Sequence, residues 1–115
     1  MKKFKKICDL QKGDRILLNY GEQNGDLVEC STFDRYISLL LKSSFKAWEA
    51  TVMAKPRGKE PTVVFLKVHG WEEDLGDTYA HKIIGWLDPT SGAFEPIEHT
   101  SKQKKMEQTA KSLGF

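Results

Sequence analysis

The side chains that could do nucleophilic, acid–base or metal chemistry are few in this sequence and lie far apart. Its histidines are His69, His81 and His99, and its cysteines are Cys8 and Cys30. Their spacing matches no zinc motif, although folding can bring two histidines, or a histidine and Cys30, together. Carboxylates are numerous, but none lies in an apolar run that would raise its pKa for acid–base work. A phosphate-binding glycine loop and a nucleophile elbow are missing as well. The sequence therefore predicts a binding protein that is not an enzyme and uses no metal or other cofactor.

Positive charge is concentrated at the two ends of the chain. There are 18 Lys and Arg against 16 Asp and Glu, so the net charge is only +2. The clustered lysines are Lys2, Lys3, Lys5 and Lys6 near the start, and Lys102, Lys104, Lys105 and Lys111 near the end. Such clusters are common in solvated tails, but they also neutralise phosphates and give nucleic-acid binding that weakens with salt. Lys102, Lys104 and Lys105 are therefore candidate nucleic-acid contacts.

A second candidate surface combines an aromatic residue with acidic ones. Trp71 directly precedes Glu72, Glu73 and Asp74, in a segment that has the composition of a loop. Tryptophans in a small domain usually pack in the core, but an exposed Trp beside a charged cluster is typical of a protein contact. Trp71, Glu72 and Glu73 are therefore the candidate residues for binding a protein partner.

The pattern of apolar residues and turns predicts mostly strands. Strands are expected at residues 15–20, 27–33, 62–68, 78–87 and 93–98, and a short helical turn at residues 4–11. The segment 62–68 is apolar on both faces, as expected of a central strand. Asn24-Gly25 is a hairpin signal. Thr100 or Ser101 suits the start of a helix that is expected from about Lys102 onward.

Residues 36–53 allow two interpretations. Apolar residues recur at helical spacing: Ile37, Leu40, Leu41, Phe45 and Trp48. The strand-rich flanks and the turn-like pair Ser43-Ser44 favour instead two strands, at 36–41 and 47–54. We expect the two strands and keep the helix as the alternative.

Two segments resemble the signatures of the Sm and LSm proteins. Residues 25–41, GDLVECSTFDRYISLLL, are similar to the first signature, with Phe33, Asp34 and Ile37 at its apolar and Asp positions. Ser38 stands where the family has Asn. Residues 63–70, VVFLKVHG, resemble the second signature, with His69 in the place of the family's Arg.

The resemblance implies a fold, an assembly and a binding site. The family has a short N-terminal helix and five strongly bent strands, and its members pair edge strands to form rings that bind RNA bases at the pore. Carried onto this chain, the resemblance makes Tyr36 the side chain on which a base stacks. It makes Ser38 and His69 polar contacts to the base, weaker than the family's Asn and Arg. Stacking on one aromatic residue is worth about 1–3 kcal/mol per base, which supports binding but little specificity.

These observations together predict a mainly β protein with a single domain over residues 1–115. We expect a small, strongly bent antiparallel barrel of the Sm-like or Src-homology-3-like kind at about 12–99, followed by a C-terminal helix at about 101–113. Open barrels leave edge strands unpaired, so we expect a homo-oligomer, and a closed ring in particular.

The expected ligand is RNA or another nucleic acid. The alternative is a phage-type accessory or scaffold protein that acts through protein–protein contacts and binds no nucleic acid. No apolar run approaches the length of a membrane span, no secretory signal is recognisable, and two cysteines make no disulfide framework. We therefore expect a cytoplasmic protein with no membrane partner.

Overall fold

A computed structural model of the chain describes residues 4–30, 32–70 and 75–114. These residues are mainly β and form a curled half-barrel sheet with a C-terminal helix. The strands are β1 (Lys5–Lys6), β2 (Arg15–Gln23), β3 (Asp26–Glu29), β4 (Phe45–Val52), β5 (Val63–Val68), β6 (Leu75–Tyr79), β7 (Ile83–Leu87) and β8 (Phe94–Glu98). The helices are α1 (Phe33–Leu40) and α2 (Ser101–Ser112), with 3₁₀-helices at Ile7–Asp9 and Ala80–Lys82.

The strands form one sheet in the order β1-β8-β7-β2-β4-β5-β6, and β3 pairs with β2 off this path. Strand β2 is the centre of the sheet. Its first half pairs with β7, with Ile16 opposite Trp86, and its second half pairs with β3, with Gly21 opposite Val28. Strand β4 lies along its other side, and their register shifts between Leu17 and Gly21. Such irregularities bend a strand and increase its twist, which fits the curl of the sheet.

Strand β2 is buried on both faces, because successive side chains of a strand point to opposite sides of the sheet. Ile16 and Leu18 belong to a core inside the half-barrel, whereas Leu17 belongs to a second core between the sheet and α1. The inner core contains Ile7, Leu10, Ile16, Leu18, Ala50, Val52, Val64, Leu66, Ala80, Ile83 and Ile97. The second core contains Leu17, Cys30, Tyr36, Phe45 and Ile84.

The strand predicted at residues 36–41 is wrong, because this part of the segment belongs to the helix α1. The strand predicted at 47–54 is confirmed by β4, so the helical alternative holds only for the first part of residues 36–53. Thr32 begins this helix, because its Oγ1 accepts a hydrogen bond from the backbone N–H of Arg35 at 3.3 Å. Tyr36 is fully buried, and Leu39 and Leu40 pack beside it. The helical spacing of these three residues puts them on one face of α1, which packs against Leu17 on the second face of β2. The strand predicted at 27–33 is correspondingly shorter and ends at Glu29.

The single strand predicted at residues 78–87 is also wrong, because the chain turns a corner there. Strand β6 ends at Tyr79, β7 begins at Ile83, and a 3₁₀-helix connects them. Ala80 fixes the position of this corner, because it is fully buried and its backbone N–H donates to the carbonyl oxygen of Thr62 at 2.8 Å. The corner carries the chain from the end of the sheet beside β5 back to β2.

Other local predictions are confirmed. Strands β5 and β8 lie within one residue of the predicted bounds, although β5 is buried on one face only. Asn24 and Gly25 both have positive φ, at 53° and 85°, as the hairpin signal requires. The turn expected near the start is the 3₁₀-helix at Ile7–Asp9.

The C-terminal helix predicted at about 101–113 is confirmed by α2. Gln103, near its start, is 1% exposed and ties the helix to the β4–β5 loop. Its side-chain oxygen accepts from the backbone N–H of Thr100 at 2.8 Å, and its amide nitrogen donates to the carbonyl oxygen of Pro61 at 2.7 Å. In the part of the chain that the structure describes, neither helix combines the length and apolarity needed to cross a membrane.

Candidate nucleic-acid interface

The loop between β4 and β5 places three cationic side chains beside the start of α2. Lys55, Arg57 and Lys59 alternate along it, and a left-handed turn at Gly58, with φ of 89°, shapes the loop between them. Together with Lys102 they line a surface groove of about 480 Å³, which also exposes the ring of Phe65. We call this groove, defined by these four cations and Phe65, the basic groove.

Lys102 joins the basic groove because α2 is fixed against the loop. The Gln103–Pro61 hydrogen bond spans 42 positions of sequence. Beside it, the backbone N–H of Lys102 donates to Glu60 Oε1 at 3.4 Å. A carboxylate at this end of a helix also meets the positive end of the helix dipole. The cations of the loop and of the helix are thereby held on one surface.

The floor of the basic groove is apolar. Along β5, Val64 and Leu66 are buried in the inner core, so Val63 and Phe65 face outward. Phe65 is 40% exposed. An exposed aromatic ring flanked by cations provides both a surface for base stacking and charges for phosphates.

The charge balance of the basic groove is positive. Its four cations face two carboxylates, those of Glu60 and Asp77. Glu60 bonds the start of α2, and Asp77 lies opposite Phe65 on β6. The Nζ of Lys55 donates to the carbonyl oxygen of Cys8 at 3.3 Å, which holds this cation without neutralising it. The surplus of positive charge attracts anions such as phosphodiesters.

Tyr36 does not provide the stacking surface that the resemblance implies. Its ring is fully buried and meets Phe45 edge-on, with ring centroids 5.4 Å apart. Its hydroxyl donates to the carbonyl oxygen of Tyr20 at 2.7 Å and accepts from the backbone N–H of Trp48 at 3.1 Å. Burial raises the pKa of Tyr36, so the hydroxyl stays protonated. A base has no access to this ring, and Tyr36 is corrected to a core residue.

Ser38 and His69 do not line the basic groove. Ser38 is exposed on α1, and its hydroxyl donates to the carbonyl oxygen of Asp34 at 3.1 Å. His69 follows β5, with Nε2 2.6 Å from Thr51 Oγ1 and Nδ1 3.9 Å from Glu49 Oε2. Neither residue therefore belongs to the basic groove, and Tyr36, the third residue of the implied site, is buried.

The remaining predicted residues divide between α2 and the undescribed segment. Lys102 lines the basic groove, and Lys105 lies three positions further along the exposed surface of α2, close to the same helix face. Lys104, also exposed, lies on a different side of the helix. The predicted protein-contact residues Trp71, Glu72 and Glu73 lie outside the described residues.

Four residues of the basic groove were not predicted from the sequence. Lys55, Arg57 and Lys59 lie in a segment that the sequence identifies only as a loop, and Phe65 lies in a strand expected to be buried on both faces. The sequence does carry an indication, namely the alternation of cations in KPRGKEP, residues 55–61. What it lacks is any local sign that α2 packs against this loop.

Neither a metal cluster among the described residues nor a similar protein was found that would indicate a function. Over residues 4–30, 32–70 and 75–114, no group of three or more His, Cys, Asp or Glu side chains is placed to hold a metal ion. Comparisons with protein-family models, with curated proteins and with solved structures found no match to the chain.

Proposed function

We propose that this protein binds single-stranded nucleic acid, RNA in particular, through the basic groove and performs no catalysis of its own. The observation that carries the proposal is the meeting of four cations and an exposed phenylalanine ring in one groove. Cations bind phosphates, and an aromatic ring stacks with any base. Phe65 lies on the floor between the cations, where an unpaired base can reach it and a paired one cannot.

An Sm-like or Src-homology-3-like identity of the half-barrel is part of this proposal. Its support is the run of five neighbouring strands, β7-β2-β4-β5-β6, in one curled sheet. Five strongly bent strands are also what the resemblance implies. The binding surface proposed here differs from the one that the resemblance implies, because it lies on the β4–β5 loop and α2.

The affinity for a short fluorescein-labelled single-stranded RNA is expected to fall steeply with salt. Four neutralised phosphates predict a slope of about −3 in log affinity against log salt, a loss of about 50-fold between 50 and 200 mM. Fluorescence anisotropy at several salt concentrations measures the slope. The double variant Arg57→Ala, Lys59→Ala should bind more than tenfold more weakly at low salt, with a slope smaller by about 1.4.

Matched controls distinguish the basic groove from general positive charge. Lys42→Ala with Lys46→Ala removes two exposed cations outside the groove and should leave affinity and slope almost unchanged. Phe65→Ala should weaken binding by the worth of one stacked base, about 1–3 kcal/mol, whereas Leu41→Ala, an exposed apolar residue elsewhere, should not. Equal losses in groove and control variants would contradict the proposal, and so would binding that is insensitive to salt.

A second candidate function is that of a phage-type accessory or scaffold protein that contacts other proteins. The observation that favours it is a row of outward-facing apolar side chains on β5 and β6: Val63, Phe65 and Leu75. Aromatic and aliphatic side chains exposed together are typical of protein contacts. Failure of the chain to bind RNA at any salt concentration, with the fold intact, would favour this function.

We also propose that the chain self-associates through β6, with a closed ring as the expected assembly. In the part of the chain that the structure describes, β6 pairs with β5 alone, which leaves its other backbone edge open. Leu75 on this strand is 50% exposed. Light scattering after size exclusion, with and without RNA, should give a multiple of the chain mass, reduced by Leu75→Lys. A single-chain mass at every concentration would contradict this.

A further inference from the structure

An aromatic pocket of about 220 Å³ opens on the inner side of the half-barrel, and its lining shares only Asp77 with that of the basic groove. Tyr20 and Trp48 form one wall, with ring centroids 6.1 Å apart and planes tilted by 50°. Leu66 of the inner core contributes to the aliphatic part of the lining. At Gly76, on the edge strand, a Cβ would meet no heavy atom within 4 Å, so the pocket is open on that side. We call this cavity the aromatic pocket.

A polar cavity of about 80 Å³ adjoins the aromatic pocket, and the two share the side chains of Tyr20 and Lys82. The polar cavity is lined in addition by Asn19, Glu29, His81, Glu107 and Lys111. Together the two cavities approach the lower end of the roughly 300–1,000 Å³ range of small-molecule sites. The combination is an apolar, aromatic space beside a small, strongly polar one.

Two side chains of the polar cavity carry buried atoms without a hydrogen-bond partner. Asn19 is 8% exposed and His81 is 9% exposed. Asn19 Oδ1 and His81 Nδ1 are both buried, and neither has a partner among the described residues. An unsatisfied buried polar atom costs about 1–3 kcal/mol, so the great majority are bonded to protein, water or a ligand. A molecule that enters the cavity and displaces the side chains covering these two atoms would satisfy both, since each atom has less than 1 Å² of accessible surface.

The chemistry of these positions restricts the ligand. The amide nitrogen of Asn19, Nδ2, donates to Glu29 Oε1 at 3.5 Å. This fixes Oδ1 as the acceptor end of the amide, which needs an N–H or O–H donor. Burial is the main cause that lowers the pKa of His81, and the charges of Lys82, His99 and Lys111 add to it against the opposing effect of Glu107. The imidazole is therefore neutral at pH 7 and carries one N–H. Depending on the tautomer, Nδ1 either donates this hydrogen or accepts one through its lone pair.

We propose that the aromatic pocket and the polar cavity together bind a nucleobase whose exocyclic amino group lies beside an unprotonated ring nitrogen on the Watson–Crick edge, that is, adenine or cytosine. The ring lies against Trp48 and Tyr20, the amino group donates to Asn19 Oδ1, and the neighbouring ring nitrogen accepts from the N–H at His81 Nδ1. The carboxylates of the polar cavity disfavour the carbonyl oxygens that uracil would present. Lys82, whose Nζ is 5.3 Å from the centre of the Tyr20 ring, lies where it can meet the attached phosphate.

This inference rests on the proposed function for its class of ligand, but it uses none of the four cations of the basic groove. The two can therefore be tested apart with mononucleotides, which need no extended groove. Isothermal titration with AMP, CMP and UMP should show AMP and CMP binding at least tenfold more tightly than UMP. In ¹H–¹⁵N NMR spectra, AMP should shift the side-chain amide of Asn19 and the indole of Trp48.

The decisive variant is Asn19→Leu, which removes the acceptor without leaving a buried polar atom unsatisfied, so that it should fold at least as stably. It should lose at least tenfold in affinity for AMP and CMP. Gln23→Leu, on the same strand outside both cavities, is the matched control and should bind as the unaltered chain does.

The outcomes separate this pocket from the basic groove. If none of the three nucleotides shifts the Asn19 or Trp48 signals, the cavity holds water only and the inference is wrong, whatever the RNA titration shows. AMP binding that Asn19→Leu leaves intact overturns it equally. Nucleotide binding that depends on Asn19 supports the pocket even if RNA binding proves insensitive to salt, and in that case the proposed function of the basic groove fails alone.

Discussion

Tyr36→Ala should lower the free energy of unfolding by about 3–5 kcal/mol, the usual cost of truncating a large buried aromatic side chain. Tyr36 is among the largest fully buried side chains of the described residues, and its loss leaves a cavity against Phe45. It also leaves the carbonyl of Tyr20 and the N–H of Trp48 without their hydroxyl partner. Small domains have only about 5–15 kcal/mol in total, so this variant approaches complete unfolding. Urea unfolding followed by circular dichroism measures the loss.

Tyr36→Phe is the informative companion, because it keeps the packing and removes only the hydroxyl. It should cost about 1–3 kcal/mol, since two buried backbone groups lose one partner each. The folded variant should bind RNA as tightly as the unaltered chain, because the ring is inaccessible to a base. A Tyr36→Phe protein of undiminished stability would contradict the two hydrogen bonds of the hydroxyl that the structure describes.

Gly21→Ala is expected to be the next most damaging change, with a cost of about 1–3 kcal/mol or more. A Cβ at Gly21 would overlap the ring of Phe45 and lie 2.9 Å from the carbonyl oxygen of Lys46. Gly21 stands where the register of β2 against β4 resumes after its shift, opposite Ala47. Displacing Phe45 there disturbs the ring that packs against Tyr36. The midpoint of urea unfolding is the measurement.

Gly76→Ala is the control for this clash, because Gly76 is also a strand glycine but has open space where the Cβ would lie. It should be nearly neutral. Combining Gly21→Ala with Phe45→Leu should recover part of the loss, since the ring is removed while the carbonyl oxygen of Lys46 remains. Equal unfolding midpoints for Gly21→Ala and Gly76→Ala would show that the β2–β4 approach is looser than the structure describes.

The elements that could be predicted from the sequence are those that local chemistry determines. The β-branched run at 62–68, the Asn24-Gly25 turn and the cap around Thr100 each carry their own signal, and each lies where it was expected. Residues 36–41 could not be assigned in this way, because their helical spacing competed with strand-rich flanks. The helix forms because Leu17 faces a second core, and that need is visible only when the sheet is assembled.

The candidate site depends even more on contacts between distant segments. Lys102 was a candidate from composition, but it becomes part of a groove only through the Gln103–Pro61 hydrogen bond across the fold. Tyr36 was the stacking side chain that the resemblance implied, yet a resemblance in sequence does not say which side of an element faces solvent. Asn19 and His81 likewise gave no local sign, since their unsatisfied atoms exist only because β2 and the corner at Ala80–Lys82 meet.

Strand β2 contributes side chains to both cores, and this links the unfolding of one core to that of the other. Leu17 packs in one core, and Ile16 and Leu18 pack in the other. If either core unfolds and β2 is displaced, the other core loses side chains that it packs against. The half-barrel and the helix that covers its outside therefore form one cooperative unit. An intermediate with one core intact and the other disordered has no stable place in its unfolding, and both cores should be lost in a single transition.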